Sequence, residues 1–196
     1  MSEYDVLLAL ARRAGCAELL IGFESPIEQG LDGIELRRNW KKRTWPIYTQ
    51  VIQRIQSYGI RVNACFVLGL DGHTPDIFDA VYEFVEDTTP FDVQITYQTS
   101  FPNTPLYHRL KKQGRLTHDG RWERCALFDT NYEPQPTSAA QLRRGFDGLS
   151  QRLYSDSFTQ WHREKFRAQH RRAKPARTNG ANMGQRQRPM RLSILR

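Results

Sequence analysis

The segment Gly59–His73, with the sequence GIRVNACFVLGLDGH, decides the fold of this chain. Its apolar β-formers lack a clean alternation, which is typical of a strand covered on both faces, as in a parallel sheet. Gly69 and Gly72 follow the run, and glycine allows the backbone to approach another group closely. Ligands of parallel α/β sheets bind at the carboxyl ends of the strands. The segment therefore predicts a central strand with a ligand loop at its tip.

A helix followed by a strand is predicted three times along the first hundred residues. The strands are expected over Ala17–Phe23, after Gly59, and over Asp92–Gln98. Apolar residues at helical spacing precede each strand, and the intervals are long enough for crossover helices, which favour parallel pairing. Three parallel strands are few for an α/β domain, since doubly wound sheets and barrels normally have more.

The pattern changes after the third strand. A turn-rich loop over Ser100–Pro105 leads to a short basic helix over Leu106–Gln113, and Ser138 with Gln141 predicts a capped helix over residues 139–160. We predict three regions: an α/β part over 1–113, a helical extension over 114–160 and a basic, disordered tail over 161–196.

The net charge of the chain is concentrated in its last residues. The chain has 29 Lys and Arg residues, 21 Asp and Glu residues and a net charge of +8. His162–Arg196 holds 11 of the basic residues and one acid, which leaves 18 basic and 20 acidic residues in 1–161. The charge therefore does not predict a nucleic-acid surface on the folded part. The tail lacks the interleaved aromatic residues that stack on bases, so we expect no nucleic-acid partner.

The cysteine content excludes a disulfide framework and a zinc motif. Cys16, Cys65 and Cys125 are the three cysteines, and they are far apart in the sequence. No run reaches the roughly 18 apolar residues of a membrane span, and the polar, acidic N-terminus is not a signal peptide. We expect a cytoplasmic protein.

Two polar groups follow the predicted strands directly. Glu24 and Ser25 end the first strand, where they either bind a ribose or an amine or form a turn with a cap. Asp71 and His73 end the second strand, and His73 is a base, a ligand or a loop residue that hydrogen-bonds its own turn.

The third strand carries polar residues on one face. Gln94, Thr96 and Gln98 alternate along it. An unpaired buried polar group costs about 1–3 kcal/mol, so this face is expected to line a wet cavity. The basic segments Trp40–Arg43 and Arg143–Arg144, by contrast, are interpreted as solvated surfaces.

Three segments resemble radical S-adenosylmethionine proteins, in the order in which that family has them. Leu20–Ser25 (LIGFES) resembles the Gly-x-Glu-Ser segment of the fourth barrel strand, and Gly59–Asp71 resembles the fifth strand. Phe101–Tyr107 (FPNTPLY) is similar to the Pro-x-Pro-Gly-Thr-Pro-Leu loop after the sixth strand. Gly114–Leu116 and the helix from Ser138 resemble the C-terminal extension of a subgroup in which a cobalamin-binding domain commonly precedes the barrel.

The resemblance, which spans residues 4 to 160, implies a fold and a cofactor site. The fold would be α/β: half of a TIM-like barrel, with about three parallel strands, crossover helices and a C-terminal helical extension. The carboxylate and hydroxyl after the first strand fall where the family contacts the ribose or methionine part of S-adenosylmethionine, and the second strand falls where the family packs on adenine. The implied cofactor-binding residues are Glu24, Ser25, Val67, Gly69, Leu70 and Asp71.

The chain departs from the family pattern at several positions. Asp71-Gly72-His73 stands where the family often has Pro-Gly-Glu, and Asn103 replaces a glycine. The Cys-x-x-x-Cys-x-x-Cys motif that binds the family's [4Fe–4S] cluster is absent, and the three cysteines of this chain match no part of it. We expect the cluster motif and the first three strands to precede Met1, and we assign no metal ligand and no catalytic residue.

The resemblance implies family chemistry that this chain does not complete alone. That chemistry is the reductive cleavage of S-adenosylmethionine at a [4Fe–4S] cluster, with cobalamin only through a separate domain. The chain is then either a truncated gene product or one half of a split protein whose partner supplies the cluster and the cobalamin domain, and we expect it to be inactive alone. One alternative is a non-enzymatic module that binds nucleic acid or acidic surfaces through its basic tail, and another is a nonfunctional remnant.

Overall fold

The computed structural model describes residues 3–32, 34 and 39–172, and it shows an unclosed α/β architecture. The strands are β1 (Glu18–Glu24), β2 (Arg61–Leu68) and β3 (Asp92–Tyr97). The helices are α1 (Glu3–Arg13), α2 (Trp40–Thr44), α3 (Tyr48–Ser57), α4 (Ile77–Thr88), α5 (Pro105–Lys112), α6 (Ala139–Leu153) and α7 (Asp156–Arg172). The strands form a parallel sheet in the order β1-β2-β3. The prediction of three parallel strands joined by helices, with a helical C-terminal part, is confirmed.

The two faces of the sheet differ, which corrects the prediction that β2 is covered on both. Burial alternates along β2: Val62, Ala64, Phe66 and Leu68 are fully buried, and the residues between them are partly exposed. The buried side packs against apolar residues of α3 and α4 such as Ile52, Ile55, Val81 and Val85. The opposite side has no such layer among the described residues, and we call it the open face.

The register places matching residues of the three strands on the open face. Gly22 lies opposite Cys65, and Cys65 lies opposite Gln94. One step further, Val67 lies opposite Thr96. The pairing of β1 with β2 shifts between Gly22 and Glu24, so β1 ends in an irregularity just before the loop that follows it.

The two outer edges of the sheet also differ. The edge of β3 is partly covered, because the Tyr154 hydroxyl donates to Val93 O (3.2 Å) and Tyr97 N donates to Leu127 O (2.8 Å). Within the described part of the chain, no strand pairs with the outer edge of β1. Helix α1, which precedes β1 in the chain, leaves Tyr4, Leu7 and Leu10 more than half exposed. The β3 edge is therefore partly covered, whereas the β1 edge has no strand partner within the described residues.

The C-terminal helices pack beside α4 and differ from the predicted single helix over 139–160. The chain leaves the helical conformation between α6 and α7, where the Ser155 hydroxyl accepts from Phe158 N at 3.2 Å. Helix α7 then continues to Arg172, with Phe166 against Phe91 at 5.2 Å between ring centroids. Residues 161–172 are therefore helical, and the division of the chain into three regions stays a prediction. The rest of the predicted tail, residues 173–196, lies outside the described residues.

Helix α4 begins at Ile77 with Asp76 as its N-cap, and the Thr74 hydroxyl bonds to the Asp76 carboxylate. Helix α5 begins one residue early, at Pro105, with the Thr104 hydroxyl accepting from Tyr107 N at 3.2 Å. Among the described residues, no helix has the length and apolarity needed to cross a membrane.

Candidate ligand cleft at the carboxyl ends of the strands

The end of β1 is held by an ion pair that the sequence did not indicate. Glu24 adopts a left-handed backbone conformation (φ +65°), which is uncommon for a residue other than glycine. Its carboxylate contacts the Lys41 ammonium, which also donates to Gly22 O at 3.0 Å. Both side chains are about one-fifth exposed. Lys41 is therefore not part of a solvated surface, which corrects that interpretation for this residue of Trp40–Arg43.

Ser25 is fully buried, and its hydroxyl already has partners. Ser25 Oγ donates to Ile27 O (3.0 Å), accepts from Ile27 N (3.2 Å) and lies 3.0 Å from His73 Nε2. Gly30 faces this pair, and a Cβ at Gly30 would overlap with the His73 ring. These bonds form the turn after β1 that was one interpretation of Ser25, and a contact of Ser25 with a ligand stays a prediction.

His73 is a buried, neutral residue of the loop after β2. It is 1% exposed, and burial lowers its pKa from 6.5 to about 4, with Asp76 opposing the shift weakly. Its Nδ1 atom has no hydrogen-bond partner among the described residues. The backbone N–H of His73 donates to Leu70 O at 3.0 Å, so the loop also bonds to itself. Of the interpretations of His73, the structure favours the loop residue that supports its own turn.

The loop Gly69–His73, which we call the β2 loop, is tied to the C-terminal extension. Asp71 accepts from Arg115 Nη2 at 2.8 Å, and its other oxygen lies 3.4 Å from Arg109 Nη2. Tyr132 Oη donates to Gly69 O at 2.5 Å, and Thr137 Oγ1 donates to His73 O at 2.7 Å. The Asp71 carboxylate is thus engaged by two guanidinium groups from the segment after β3.

A cleft of about 530 Å³ lies where these elements meet. Its walls come from the chain after β1, from the β2 loop, from the end of β3 and from the start of α5. It is lined by Gly30, Asp32, Ile34, Leu70, Asp71, Gln98, Thr104, Pro105, Leu106 and Arg109. Of the six residues that the resemblance implied, Leu70 and Asp71 line the cleft, whereas Glu24, Ser25, Val67 and Gly69 are not among its lining residues. The volume falls within the usual range for a small-molecule site.

The predicted polar strip of β3 lies on the open face. Gln94, Thr96 and Gln98 are all partly exposed, and Gln98 lines the cleft. The Gln98 Oε1 atom is buried without a hydrogen-bond partner among the described residues. Gln94 Oε1 instead lies 3.6 Å from Cys65 Sγ, and burial raises the pKa of that thiol to about 11, with nearby Glu24 and Asp92 adding to the shift. An unpaired amide oxygen in the wall of the cleft is suited to accept from a ligand N–H or O–H.

The residues present fit a nucleoside ligand but not an iron–sulfur cluster. Leu70 offers an apolar surface in the cleft, and Gln98 offers a free acceptor. The cysteines are separated: Cys16 contacts Glu18 O, Cys65 contacts Gln94 and Cys125 contacts Ser100 O, each at 3.6 Å. No group of three His, Cys, Asp or Glu side chains able to hold a metal is found in the described residues. A [4Fe–4S] cluster needs thiolates gathered at one point, so its ligands do not come from this donor set.

Sequence reasoning missed the charged and aromatic residues that support the site. The sequence analysis interprets Lys41 as part of a solvated surface, it includes Arg115 only within the Gly114–Leu116 resemblance, and it identifies none of Arg109, Arg115 and Tyr132 as a site residue. Arg115 lies 44 residues from Asp71 and Tyr132 lies 63 residues from Gly69, so no local pattern connects them. Only a chemical argument connects them: if Arg115 is buried, its guanidinium requires hydrogen-bond acceptors or a carboxylate nearby.

The sequence of this chain is similar to one family model and to several known proteins. A family model described as "Domain of unknown function (DUF4070)" matches residues 104–195, which includes α5, α6 and α7. The chain is 32% identical over 117 residues to hopanoid C-2 methylase of Rhodopseudomonas palustris, a match that covers 60% of this chain and 21% of that protein. It is 27% identical over 149 residues to bacteriochlorophyllide d C-12(1)-methyltransferase of Chlorobaculum tepidum, covering 76% of this chain and 31% of that protein.

A third relative performs a different type of reaction, judging by its name. The chain is 27% identical over 107 residues to anaerobic magnesium-protoporphyrin IX monomethyl ester cyclase of Cereibacter sphaeroides, covering 55% of this chain and 17% of that protein. Together with the ordered motifs, these matches indicate a C-terminal region of the radical S-adenosylmethionine family. The chain spans less than a third of the length of each of these curated relatives.

Proposed function

We propose that this chain forms one side of an S-adenosylmethionine site in a radical S-adenosylmethionine protein. The observation that carries the proposal is the cleft, in which the β2 loop, the end of β3 and the start of α5 converge. Residues 1–113 would supply half of the barrel, and the segment after them would supply a supporting extension. S-adenosylmethionine is also the cofactor that the family relationship of the relatives implies.

The contacts divide the proposed cofactor residues into two groups. Leu70 would present apolar surface to adenine from the wall of the cleft, and Gln98 adds an acceptor that the implied cofactor set did not include, whereas Val67 lies on the open face outside the cleft lining. Ser25, Gly69 and Asp71 are engaged within the protein, so they would shape the site and leave the direct contacts to their neighbours. Glu24 would contact the ligand only with its carboxylate already balanced by Lys41.

The proposal requires a second half of the barrel that holds the cluster. When bound there, the [4Fe–4S] cluster supplies the electron that cleaves S-adenosylmethionine in this family, and this chain would contribute binding and positioning. The outer edge of β1 and the exposed apolar residues beside it suit such a partner, because an unpaired strand edge accepts a further strand. The partner would be a β/α polypeptide carrying Cys-x-x-x-Cys-x-x-Cys, joined to this chain or separate, and a cobalamin domain would come with it.

The names of the relatives indicate a general class of reaction but no substrate for this chain. The names of two of them specify methyl transfer, and that of the third specifies a cyclisation. We propose a radical-based modification of an organic substrate, and we assign no substrate, because one scaffold supports several such reactions. A cytoplasmic location remains part of the proposal.

Calorimetric titration of the purified chain with S-adenosylmethionine tests the site. We expect Gln98→Leu to weaken binding at least about fivefold, since the variant removes the unpaired acceptor from the cleft wall. Gln94→Leu is the matched control, because Gln94 lies on the same face of β3 but outside the cleft lining. Equal affinity in the two variants and the unmodified chain would contradict this location of the site.

The basic-tail alternative is tested by a separate measurement. Residues 173–196 lie outside the described residues, so a tail-mediated binding function stays a prediction. DNA and anionic vesicles are titrated at several salt concentrations against the full chain and against a chain lacking residues 172–196. Salt-dependent binding that survives the deletion would exclude the tail as its source.

A further inference from the structure

The β2 loop receives hydrogen bonds at every second residue from one later segment of the chain. Gly69, Asp71 and His73 are bonded by Tyr132, Arg115 and Thr137, respectively. All three donors lie within residues 104–195, the part that matches the domain of unknown function. We propose that this region works as a clamp on the β2 loop, with Tyr132, Arg115 and Thr137 as positioning residues for the ligand cleft.

Tyr132 fixes the start of the loop. Gly69 adopts φ +89°, a conformation that strongly favours glycine, and a Cβ there would lie 2.6 Å from Tyr132 Oη and 2.8 Å from Leu142 Cδ2. The Tyr132 side chain is fully buried, and its hydroxyl donates to Gly69 O at 2.5 Å. Burial raises the pKa of Tyr132, so the phenol keeps the proton that it donates. The loop and the clamp are thus in contact without a gap at this point.

Arg115 fixes the middle of the loop. Its residue is 7% exposed, and its guanidinium donates to Glu133 O (2.8 Å), to Gln113 Oε1 (3.2 Å) and to Asp71 Oδ1 (2.8 Å). The bonds to Glu133 O and Gln113 Oε1 fix the position of the guanidinium. Its bond to Asp71 Oδ1 then holds the β2 loop against this fixed group. Arg109 approaches the other Asp71 oxygen at 3.4 Å and lines the cleft itself.

Thr137 fixes the end of the loop. It is 5% exposed, and its hydroxyl donates to His73 O at 2.7 Å just before α6 begins. The other side of the loop rests on the chain after β1, through the His73–Ser25 contact. Anchoring alternate residues restricts a loop whose two glycines would otherwise allow many conformations.

The consequence for ligand binding is preorganisation. A loop held in its binding conformation loses less entropy when the ligand arrives, which strengthens binding without a direct contact. The region of unknown function would therefore influence affinity through Leu70 and Asp71, the two loop residues that line the cleft. This consequence for affinity depends on the proposed cofactor site, whereas the clamp itself does not.

Hydrogen exchange of the full chain, without ligand, tests the clamp. The reporters are the amide of His73, which donates to Leu70 O, and the amide of Gln98, which donates to Leu68 O at the foot of the loop. In Tyr132→Phe we expect these amides to exchange about tenfold faster, because Gly69 O loses its buried donor. Thr137→Val, which keeps the shape of the side chain, should accelerate His73 more than Gln98.

Tyr48→Phe is the matched control. Tyr48 is also buried, and it also donates to a backbone carbonyl, but that carbonyl, Phe23 O at 3.2 Å, belongs to β1 and not to the β2 loop. We expect β2-loop exchange in this variant to stay within about twofold of the unmodified chain after correction for global stability from urea unfolding. Uniform acceleration throughout the sheet in Tyr132→Phe, or equal loop rates in the two variants, would overturn the clamp.

Titration with S-adenosylmethionine separates this inference from the proposed function. Faster loop exchange together with weaker binding in Tyr132→Phe supports both, with a Kd rise of about fivefold or more expected. Faster exchange in a chain that binds no S-adenosylmethionine supports the clamp and contradicts the cofactor site. Unchanged exchange contradicts the clamp whatever the affinity.

Discussion

The imidazole Nε2 of His73 lies 3.0 Å from the hydroxyl of Ser25, and Gly30 packs so closely against both that a Cβ there would overlap with them. The contact joins the ends of two neighbouring parallel strands. Both residues were candidates for direct chemistry, yet each is nearly or fully buried. Their arrangement indicates a structural connection at the carboxyl ends of the strands, next to Gly30, which lines the cleft.

The stability of the chain should depend on pH through His73. The pKa of His73 is about 4 in the folded chain and 6.5 when the side chain is not buried, so the unfolded chain takes up a proton first as the pH falls. The contribution of the neutral His73 to the free energy of unfolding is therefore complete above pH 6.5 and is lost between pH 6.5 and 4, by about 3 kcal/mol in total. Urea unfolding of the chain and of His73→Gln at pH 7.5 and 4.5 measures it. The gap between the two proteins should shrink at pH 4.5, and a constant gap would contradict a buried neutral imidazole.

Removing the Lys41 ammonium should destabilise the end of β1. Lys41→Met leaves the Glu24 carboxylate partly buried without its partner, and we expect a loss of about 1–2 kcal/mol in the free energy of unfolding. Lys42→Met is the control, because Lys42 is more exposed and lies 3.8 Å from Glu28 and 3.6 Å from Asp32, so its loss should cost less than about 0.5 kcal/mol. Denaturant titration of both variants decides the point, and equal losses would contradict a specific role for Lys41.

The packing of α6 on α4 should depend on one of two glycines. A Cβ at Gly145 would overlap with the Phe78 ring, whereas a Cβ at Gly148 would have no atom within 4 Å. Gly145→Ala should therefore lower stability by about 1–2 kcal/mol despite better helix propensity. Gly148→Ala should raise stability by about 0.5–1 kcal/mol. Thermal or urea unfolding measures both, and stabilisation by both alanines would show that the two helices separate easily.

The purified chain should not assemble a complete iron–sulfur cluster. Its three cysteines lie apart, and burial keeps the Cys65 thiol protonated by raising its pKa to about 11. After anaerobic incubation with iron and sulfide and removal of unbound metal, we expect far less than one cluster per chain. Addition of a polypeptide with Cys-x-x-x-Cys-x-x-Cys gives the positive control. A stable brown protein with four irons for each copy of this chain alone would contradict the prediction.

The three strands could be predicted because each has a local pattern of β-forming residues. That pattern did not show what covers the two faces of a strand. Cys65 and Val67 are apolar enough to suggest a covered strand, yet they lie on the open face. The apolar character of a residue does not show whether its side chain is buried by the rest of the chain or lies on an uncovered face. In the same way, the polar strip of β3 was located correctly, but only the structure shows that Gln98 faces the cleft and Gln94 does not.

The ends of the helices also include one that local sequence predicts and one that only the structure shows. The cap of α6 at Ser138 was predicted because the capping box is local, and both of its hydrogen bonds are present. The break before α7 was not predicted, although the Ser155 hydroxyl that accepts from Phe158 N there is close in sequence. At the same point the Tyr154 hydroxyl donates to Val93 O of β3, a contact over 61 positions that no local pattern indicates.

The sequence by itself determined the element order, the parallel pairing and the positions of Glu24 and the β2 loop at the strand ends, because periodicity, glycine placement and short motifs are local properties. Only the tertiary structure decided what surrounds those positions. The Lys41 contact at Glu24 and the bonds of Tyr132, Arg115 and Thr137 to the β2 loop join residues separated by 17 to 64 positions. Such contacts depend on how the helices pack against the sheet. The β2 loop follows from the sequence, and the clamp that holds it follows from the fold.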